Sequence, residues 1–217
     1  MPFFIMDDKK LAIFDLDGTL IDAYPAIIRS FNHAMSAFGY PRQKALVIRR
    51  AVGWGDRHLL APFVKQGDLS GVLEVYRRHH KRALRAYSKM LPGAKRVLRY
   101  LKRKGFMLAV ASNRPTLFSR ILIRAFDLKQ YFDFVLCSDK LKRGKPHPEI
   151  MEKILKELHV EAKHAVYIGD MTIDAQAGRS AHIDTIIVTT GSSLKKEIKL
   201  EKPYRIISDM RELLKIL

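Results

Sequence analysis

The chain has 217 residues, of which 40 are Lys or Arg against 22 Asp or Glu, giving a formal net charge of +18, with 47% hydrophobic residues and one cysteine, Cys137. That length buries a substantial core, in one domain or in one domain carrying an insertion, and the composition excludes collagen-like, low-complexity and disulfide-stapled classes. No run reaches the roughly 20 apolar residues of a membrane helix, and a single cysteine fits a reducing compartment, so a cytoplasmic location is expected.

The charge attracts anions, which raises nucleic acid as a partner. The basic residues are spread along the chain, however, with local knots such as Arg77-Arg78-His79-His80-Lys81-Arg82. No aromatic single-strand platform or zinc-finger spacing accompanies them. The expected partner is a small anionic substrate drawn to a solvated basic surface.

In chain order, residues 1–6 read as a loose extension, too short for a signal segment and running into Asp7-Asp8. Residues 10–15 read as a buried strand. From 22 to 90 helical periodicity takes over and no strand is expected: Ile27, Ile28, Phe31, Ala34, Met35 and Phe38 recur at helical spacing over 25–38. Further helices are expected at 42–51, 56–65 and 69–88. Leu91-Pro92-Gly93 marks a return, after which helices at 94–104, 115–126, 148–158, 172–180 and 193–198 alternate with strands at 106–111, 132–137, 165–168, 185–188 and 204–207. A C-terminal helix starts at Met210. This alternation predicts an α/β protein, a parallel sheet with helices on both faces. The 22–90 segment reads as an all-helical insertion, and the sites of such sheets lie beyond the carboxyl ends of the strands.

Four polar clusters fall at or just after those strand ends. In Asp15-Leu16-Asp17-Gly18-Thr19 two carboxylates two residues apart point the same way, which no core tolerates without compensation. A divalent cation and a phosphoryl group would supply it, with one aspartate as nucleophile and the other moving the proton. Gly18 lets the backbone turn closely around the phosphoryl group, whose oxygens can accept backbone N–H bonds, and Gly18 and Thr19 are candidate phosphate-binding residues. Ser112-Asn113 offers a hydroxyl for a phosphoryl oxygen, or a helix cap. Lys145, framed by Pro146 and Pro148, can neutralise nucleophile and phosphoryl charge. His147 beside it reads as a packing or capping residue. In Gly169-Asp170-Met171-Thr172-Ile173-Asp174, Asp170 can join Asp15 on a hard cation, and Asp174, one helical turn on, can face the same site or pair with Lys145. Oxygen-only ligation suits Mg²⁺.

These clusters, in this order, resemble the haloacid dehalogenase-like superfamily over nearly the whole chain. The helical insertion is similar to the C1-type cap of its phosphoglycolate phosphatase and pyrophosphatase branch. The resemblance implies a Rossmann-like core (1–21 and 91–217), a mobile helical cap (22–90), Mg²⁺, and phosphomonoester hydrolysis through a phospho-aspartate. By position, Asp15 is nucleophile and metal ligand, and Asp17 is acid/base and metal ligand through its carbonyl. Ser112 and Lys145 bind phosphate, Asp170 binds metal, and Asp174 supports it. Asp17 argues against dehalogenases and phosphonate-cleaving relatives, which lack a second aspartate. Phosphosugar mutases of this branch carry a histidine where this chain has Ile27. The resemblance also places a specificity loop at residues 51–57, making Gly53, Trp54, Gly55 and Arg57 candidates for substrate selection, Trp54 being equally readable as a cap core residue. Arg114 reads equally as an anion contact or a solvated helix start, His33 as a core residue, and His79 and His80 as parts of an exposed basic face. The expected substrate is a small phosphorylated metabolite such as phosphoglycolate. A mutase, a pyrophosphatase and a basic nucleic-acid-binding module with vestigial catalysis are the alternatives.

Overall fold

The computed structural model describes Met6 and residues 8–217. Residues 1–5 and 7 lie outside the described residues, so the expected extension is visible only at Met6, which is buried and donates its N–H to Ile216 O at 2.9 Å. Met6 is therefore tied to the C-terminal segment, not loose.

Six parallel strands form the central sheet: β1 (Leu11–Phe14), β4 (Met107–Ser112), β5 (Phe134–Cys137), β6 (Ala165–Gly169), β7 (Asp184–Val188) and β8 (Arg205–Ile207), in the order β5-β4-β1-β6-β7-β8. β1 sits centrally, pairing Phe14 with Val110 on one side and Ile168 on the other. Its four residues are fully buried, as a parallel strand covered on both faces requires. The chain fills the sheet on one side of β1 and then on the other, so the carboxyl ends of β1, β4 and β6 flank the switch point where such folds bind ligands. Helices α5 (Ala94–Arg103), α6 (Thr116–Ala125), α7 (Glu149–Leu158), α8 (Thr172–Ser180) and α9 (Lys195–Leu200) connect the strands.

Between β1 and β4 the chain leaves the sheet through β2 (Ile21–Asp22) and returns through β3 (Lys89–Met90), two short antiparallel strands paired with each other. Sequence reading expected no strand here, because two residues carry no periodicity. Between them lie α1 (Tyr24–Ala37), α2 (Ala45–Ala51), α3 (Asp56–Leu60) and α4 (Leu69–Tyr87). The buried residues of α4, Leu69, Val72, Leu73, Tyr76, His80, Ala83 and Leu84, form one helical stripe facing Ile27, Phe31, Ala34 and Met35 of α1. One continuous apolar cluster joins these helices to the face of the sheet that carries Phe14, Val110 and Ile168.

Two expectations change at the edges. The C-terminal helix is a 3₁₀ segment, Met210–Lys215, opened by Asp209, whose carboxylate accepts from Arg211 N at 2.7 Å. Residues 61–63 are likewise 3₁₀, closing the helix expected to run to 65.

Candidate active site

β1 stops at Phe14, and Asp15 and Asp17 follow in a turn that folds back on itself, Gly18 N–H donating to Ile21 O at 2.8 Å. Gly18 lies at φ +81°, a left-handed conformation that favours glycine. A side chain there would also collide with Asp170: a Cβ on Gly18 would stand 2.3 Å from Asp170 Oδ2, and one on Gly191 1.9 Å from the same oxygen. Two glycines thus make the socket in which Asp170 sits.

Three of the four clusters meet around one ammonium group. Lys145 Nζ lies 3.0 Å from Asp15 Oδ1 and donates to Asp174 Oδ1 at 2.7 Å, to Tyr167 Oη at 2.8 Å and to Ala111 O at 3.1 Å. Asp174 accepts on every side: from Lys145 and the Tyr167 hydroxyl (2.6 Å) at Oδ1, and from the main-chain N–H groups of Asp170 and Met171 (3.1 and 3.0 Å) at Oδ2. It therefore holds the lysine and the turn carrying Asp170. Asp170 is fully buried and accepts from Thr19 Oγ1 at 2.9 Å, so the Thr19 hydroxyl serves Asp170 and is not free for a phosphoryl group.

One carboxylate oxygen from each of Asp15, Asp170 and Asp174 lies within 4.8 Å of the other two. Three buried carboxylates against one ammonium leave an excess of negative charge. Burial accordingly pushes the Asp15 carboxyl up to about 7, against the pull of Lys145. Burial, then Asp174 and Asp15, hold Asp170 well above the usual carboxylate range. Burial opposes the charge on Lys145, yet Asp15 and Asp174 raise it above its ordinary range. Every donor in this group is an oxygen, a set that suits a hard divalent cation and offers nothing to a thiophilic metal. With Asp174 engaged on both oxygens, the carboxylates available to a cation are those of Asp15 and Asp170.

The fourth cluster arrives at the end of β4. Ser112 is buried and lines the cavity, its Oγ accepting from Arg114 N at 3.2 Å. Asn113 lines the cavity, and its side chain donates to Gly53 O (2.8 Å) and Lys145 O (2.9 Å) and accepts from Lys145 N (2.8 Å), so the amide fixes two loops. The lysine loop is shaped further by Glu149, whose carboxylate accepts from the N–H groups of Lys142 and Arg143 at 3.1 and 2.9 Å; with Lys153 first among the causes, its carboxyl is held down to about 2. His147 Nδ1 accepts from Glu149 N at 3.2 Å, the capping role expected of it.

Arg114 and His80 lie where the sequence reading did not place them. Arg114 is buried, its guanidinium donating from Nε and Nη2 to the two oxygens of Asp17 at 2.7 and 2.8 Å and bonded through Nη1 to His80 Nε2 at 2.7 Å. It is neither solvated nor free. His80 is fully buried on the apolar stripe of α4, not on an exposed face; its position four residues after Tyr76 and seven after Leu73 was the signal. His33 is exposed and stacks on the half-buried His79 at 4.3 Å, so it is not a core residue. Tyr167 was also missed; it shares a face of β6 with Ala165 and Gly169, and only the fold shows that this face meets Lys145.

Asp15, Asp17, Ser112, Lys145 and Asp174 line a cavity of ≈ 60 Å³ (space for the centres of water molecules), walled from α1–α4 by Ile27, Val52, Gly53, Gly55, Leu59, Tyr76 and His80. At roughly 10–15 Å³ per water by this measure, it has room for about four to six waters. Gly53 and Gly55 reach this cavity. Trp54 is half exposed, not a core residue, and with Arg57 it lines a wider groove that Lys142, Arg143 and Lys145 also line.

A parallel sheet carrying nucleophile-like aspartates, a lysine and an acidic pair at its carboxyl edge defines a hydrolase of the haloacid dehalogenase-like class, and the family model of that description, "Haloacid dehalogenase-like hydrolase", matches residues 12–188. The chain belongs to that family. It is 30% identical over 216 residues to a phosphorylated carbohydrates phosphatase of Thermotoga maritima, covering 94% of this chain and all of that one. It is 29% identical to phosphoglycolate phosphatase 1 of Pseudomonas aeruginosa, covering 98% of this chain and 81% of the relative. A crystal structure described as a predicted phosphoglycolate phosphatase from Haemophilus somnus superposes with a TM-score of 0.91 at 26% identity, covering 96% of this chain and 98% of the other.

Proposed function

We propose that this enzyme hydrolyses a small phosphomonoester, of which phosphoglycolate is representative, with Mg²⁺ and through a phosphoryl group carried on Asp15. The observation that carries the reading is the meeting of Asp15, Asp170, Asp174 and Lys145 in one buried, oxygen-lined pocket beneath a cavity of ≈ 60 Å³. The names of the similar phosphatases support it, as does the size of the cavity.

Asp15 attacks phosphorus while the bond to the leaving oxygen breaks, and the electron pair departs with that oxygen. Asp17 gives it a proton. Water then attacks the acyl-phosphate, Asp17 takes the proton back, and inorganic phosphate leaves with Asp15 restored. Lys145 offsets charge on Asp15 and the phosphoryl oxygens, and Ser112 donates to one of them. Asp15, Asp170 and the Asp17 carbonyl would hold Mg²⁺, which when bound supplies further stabilisation of phosphoryl charge. The segment 22–90 acts as a cap on a core of 1–21 and 91–217, walling the cavity from water during transfer.

Ile27 lines the cavity with a side chain that cannot shuttle a proton, which favours hydrolysis over phosphosugar transfer. The charge of +18 is read as a field that draws small anions to the outer groove of Arg57, Lys142 and Arg143, not as a nucleic-acid site. Among the described residues no helix is long and apolar enough to cross a membrane, and the single cysteine fits the cytoplasm. The test is a panel of phosphorylated metabolites assayed for phosphate release with and without Mg²⁺, together with trapping of the phosphoryl group on Asp15. Full turnover by Asp15→Asn would refute the mechanism.

A further inference from the structure

The reaction as described gives no part to Arg114, a buried cation beside the site. Arg114 has only 7% of its side chain exposed and its partner Asp17 14%. Its guanidinium is held at three nitrogens: Nε and Nη2 by the two oxygens of Asp17, Nη1 by His80 Nε2. An arginine nitrogen can only donate, so His80 Nε2 is the acceptor and the ring proton sits on Nδ1, which faces Ser30 Oγ at 3.0 Å; that hydroxyl donates in turn to Ala26 O at 2.8 Å. The imidazole is wedged between Tyr76, stacked at 4.8 Å, and the edge-on ring of Phe118 at 5.1 Å. Burial first, then Arg114, lowers His80 well below its usual range, keeping it neutral and able to accept. Arg114 and Asp17 belong to the sheet-end loops; His80, Ser30, Ala26 and Tyr76 belong to α1 and α4.

We propose that Arg114 is a positioning residue that sets the Asp17 carboxyl for proton transfer, and that His80 completes this setting only while the helical cap stands over the site. The assignment rests on the phosphatase reading above. A two-pronged guanidinium fixes the plane of a carboxylate and engages one lone pair of each oxygen, leaving the other of each for a proton. Free to rotate, Asp17 would present its proton to the leaving oxygen in only a fraction of its orientations. Removal of the cap takes away the His80 acceptor and leaves the guanidinium anchored by Asp17 alone. Proton delivery is thereby coupled to exclusion of water.

The experiment compares kcat/KM for an aryl phosphate, whose leaving group needs no proton, with that for ethylene glycol monophosphate, an alkyl phosphate with a poor leaving group and no second anion. Arg114→Met is expected to lower the alkyl value by about 10²-fold or more and the aryl value by less than about tenfold. Arg114→Lys, which keeps the charge but loses the fork, shows the same selectivity in weaker form. His80→Phe gives an alkyl-selective loss of about tenfold, and His80→Gln, which can still accept from Nη1, restores most of it. In an Asp17→Asn background Arg114→Met changes either value by less than about threefold, because the group it acts through is gone. Equal losses on the two phosphates, or losses that multiply with Asp17→Asn, overturn the proposal. If Arg114→Met does not fold, the alkyl-to-aryl ratio of Arg114→Lys decides the matter. A wild-type enzyme inactive on both phosphates removes the phosphatase reading and this proposal with it; an active enzyme with a flat ratio removes only the role of Arg114.

Discussion

Replacement of Lys145 by Met keeps the aliphatic stem and deletes the ammonium. In the wild type that group is 2% exposed and lies within 3.0 Å of Asp15 and 2.7 Å of Asp174, themselves 11% and 1% exposed. Breaking a buried pair from one side leaves uncompensated carboxylates and costs about 3–5 kcal/mol. In a chain of this size each kcal/mol moves Tm by roughly 2–4 °C, so the variant should melt about 6–20 °C lower in EDTA. Loss of a charge that stabilises transferring phosphoryl oxygens should lower kcat by roughly 10²–10³-fold even with saturating Mg²⁺. Thermal unfolding followed by circular dichroism in EDTA, and again with Mg²⁺, reads the first effect; phosphate release reads the second. Lys163→Met, at an exposed ion pair with Glu161, is the control expected to leave Tm unchanged. An unaltered Tm for Lys145→Met in EDTA would show that the ammonium does not balance the acidic trio, and the electrostatic argument for the site would fail.

Gly191→Ala places a methyl group 1.9 Å from Asp170 Oδ2 and should raise the half-saturating Mg²⁺ concentration roughly 10–100-fold, whereas Gly67→Ala, with nothing within 4 Å, should behave as wild type. Chelation with EDTA should abolish turnover and Mg²⁺ restore it, and at 100 times its Kd the ion should add about 2.7 kcal/mol of stability in denaturant titrations. His80 is held well below its ordinary 6.5, so below pH 6.5 the unfolded chain binds a proton that the folded chain does not. Its contribution to stability is complete above that pH and is lost as pH falls, by up to about 1.4 kcal/mol per unit. His80→Gln should flatten the fall in stability between pH 6.5 and 5.5; an unchanged slope would show that His80 accepts a proton in the folded protein.

The meeting of Asp15, Asp170, Asp174 and Lys145 was largely readable because its signals are local. A buried strand that ends on two acids, a lysine between prolines, and acids four residues apart at a helix start each follow from spacing. The partners were not readable, because nothing local distinguishes a polar residue on a buried stripe from one on a solvated face. His80 lies in a run of six basic residues that reads as surface, although its helical phase matches Tyr76 and Leu73. Arg114 follows a strand end, where a solvated cation is equally ordinary; only Asp17 and His80 closing from two directions make its burial tolerable. Tyr167, Thr19 and Asn113 are engaged by residues more than 20 positions away or across an element, distances at which periodicity is silent. Trp54 shows the converse: an aromatic in a loop of glycines invites a place in the core, but the backbone turns it outward, half exposed.

The amide of Asn113 grips the loop from α2 to α3 by the main-chain oxygen of Gly53 and the lysine loop by the main chain of Lys145. Recognition of peptide groups alone is blind to side-chain identity. Mutational drift at positions 52, 54 and 56–57 can therefore reshape the chamber and its approaches while the latch keeps its register. In such an architecture new substrate preferences evolve without rebuilding the reactive centre beneath.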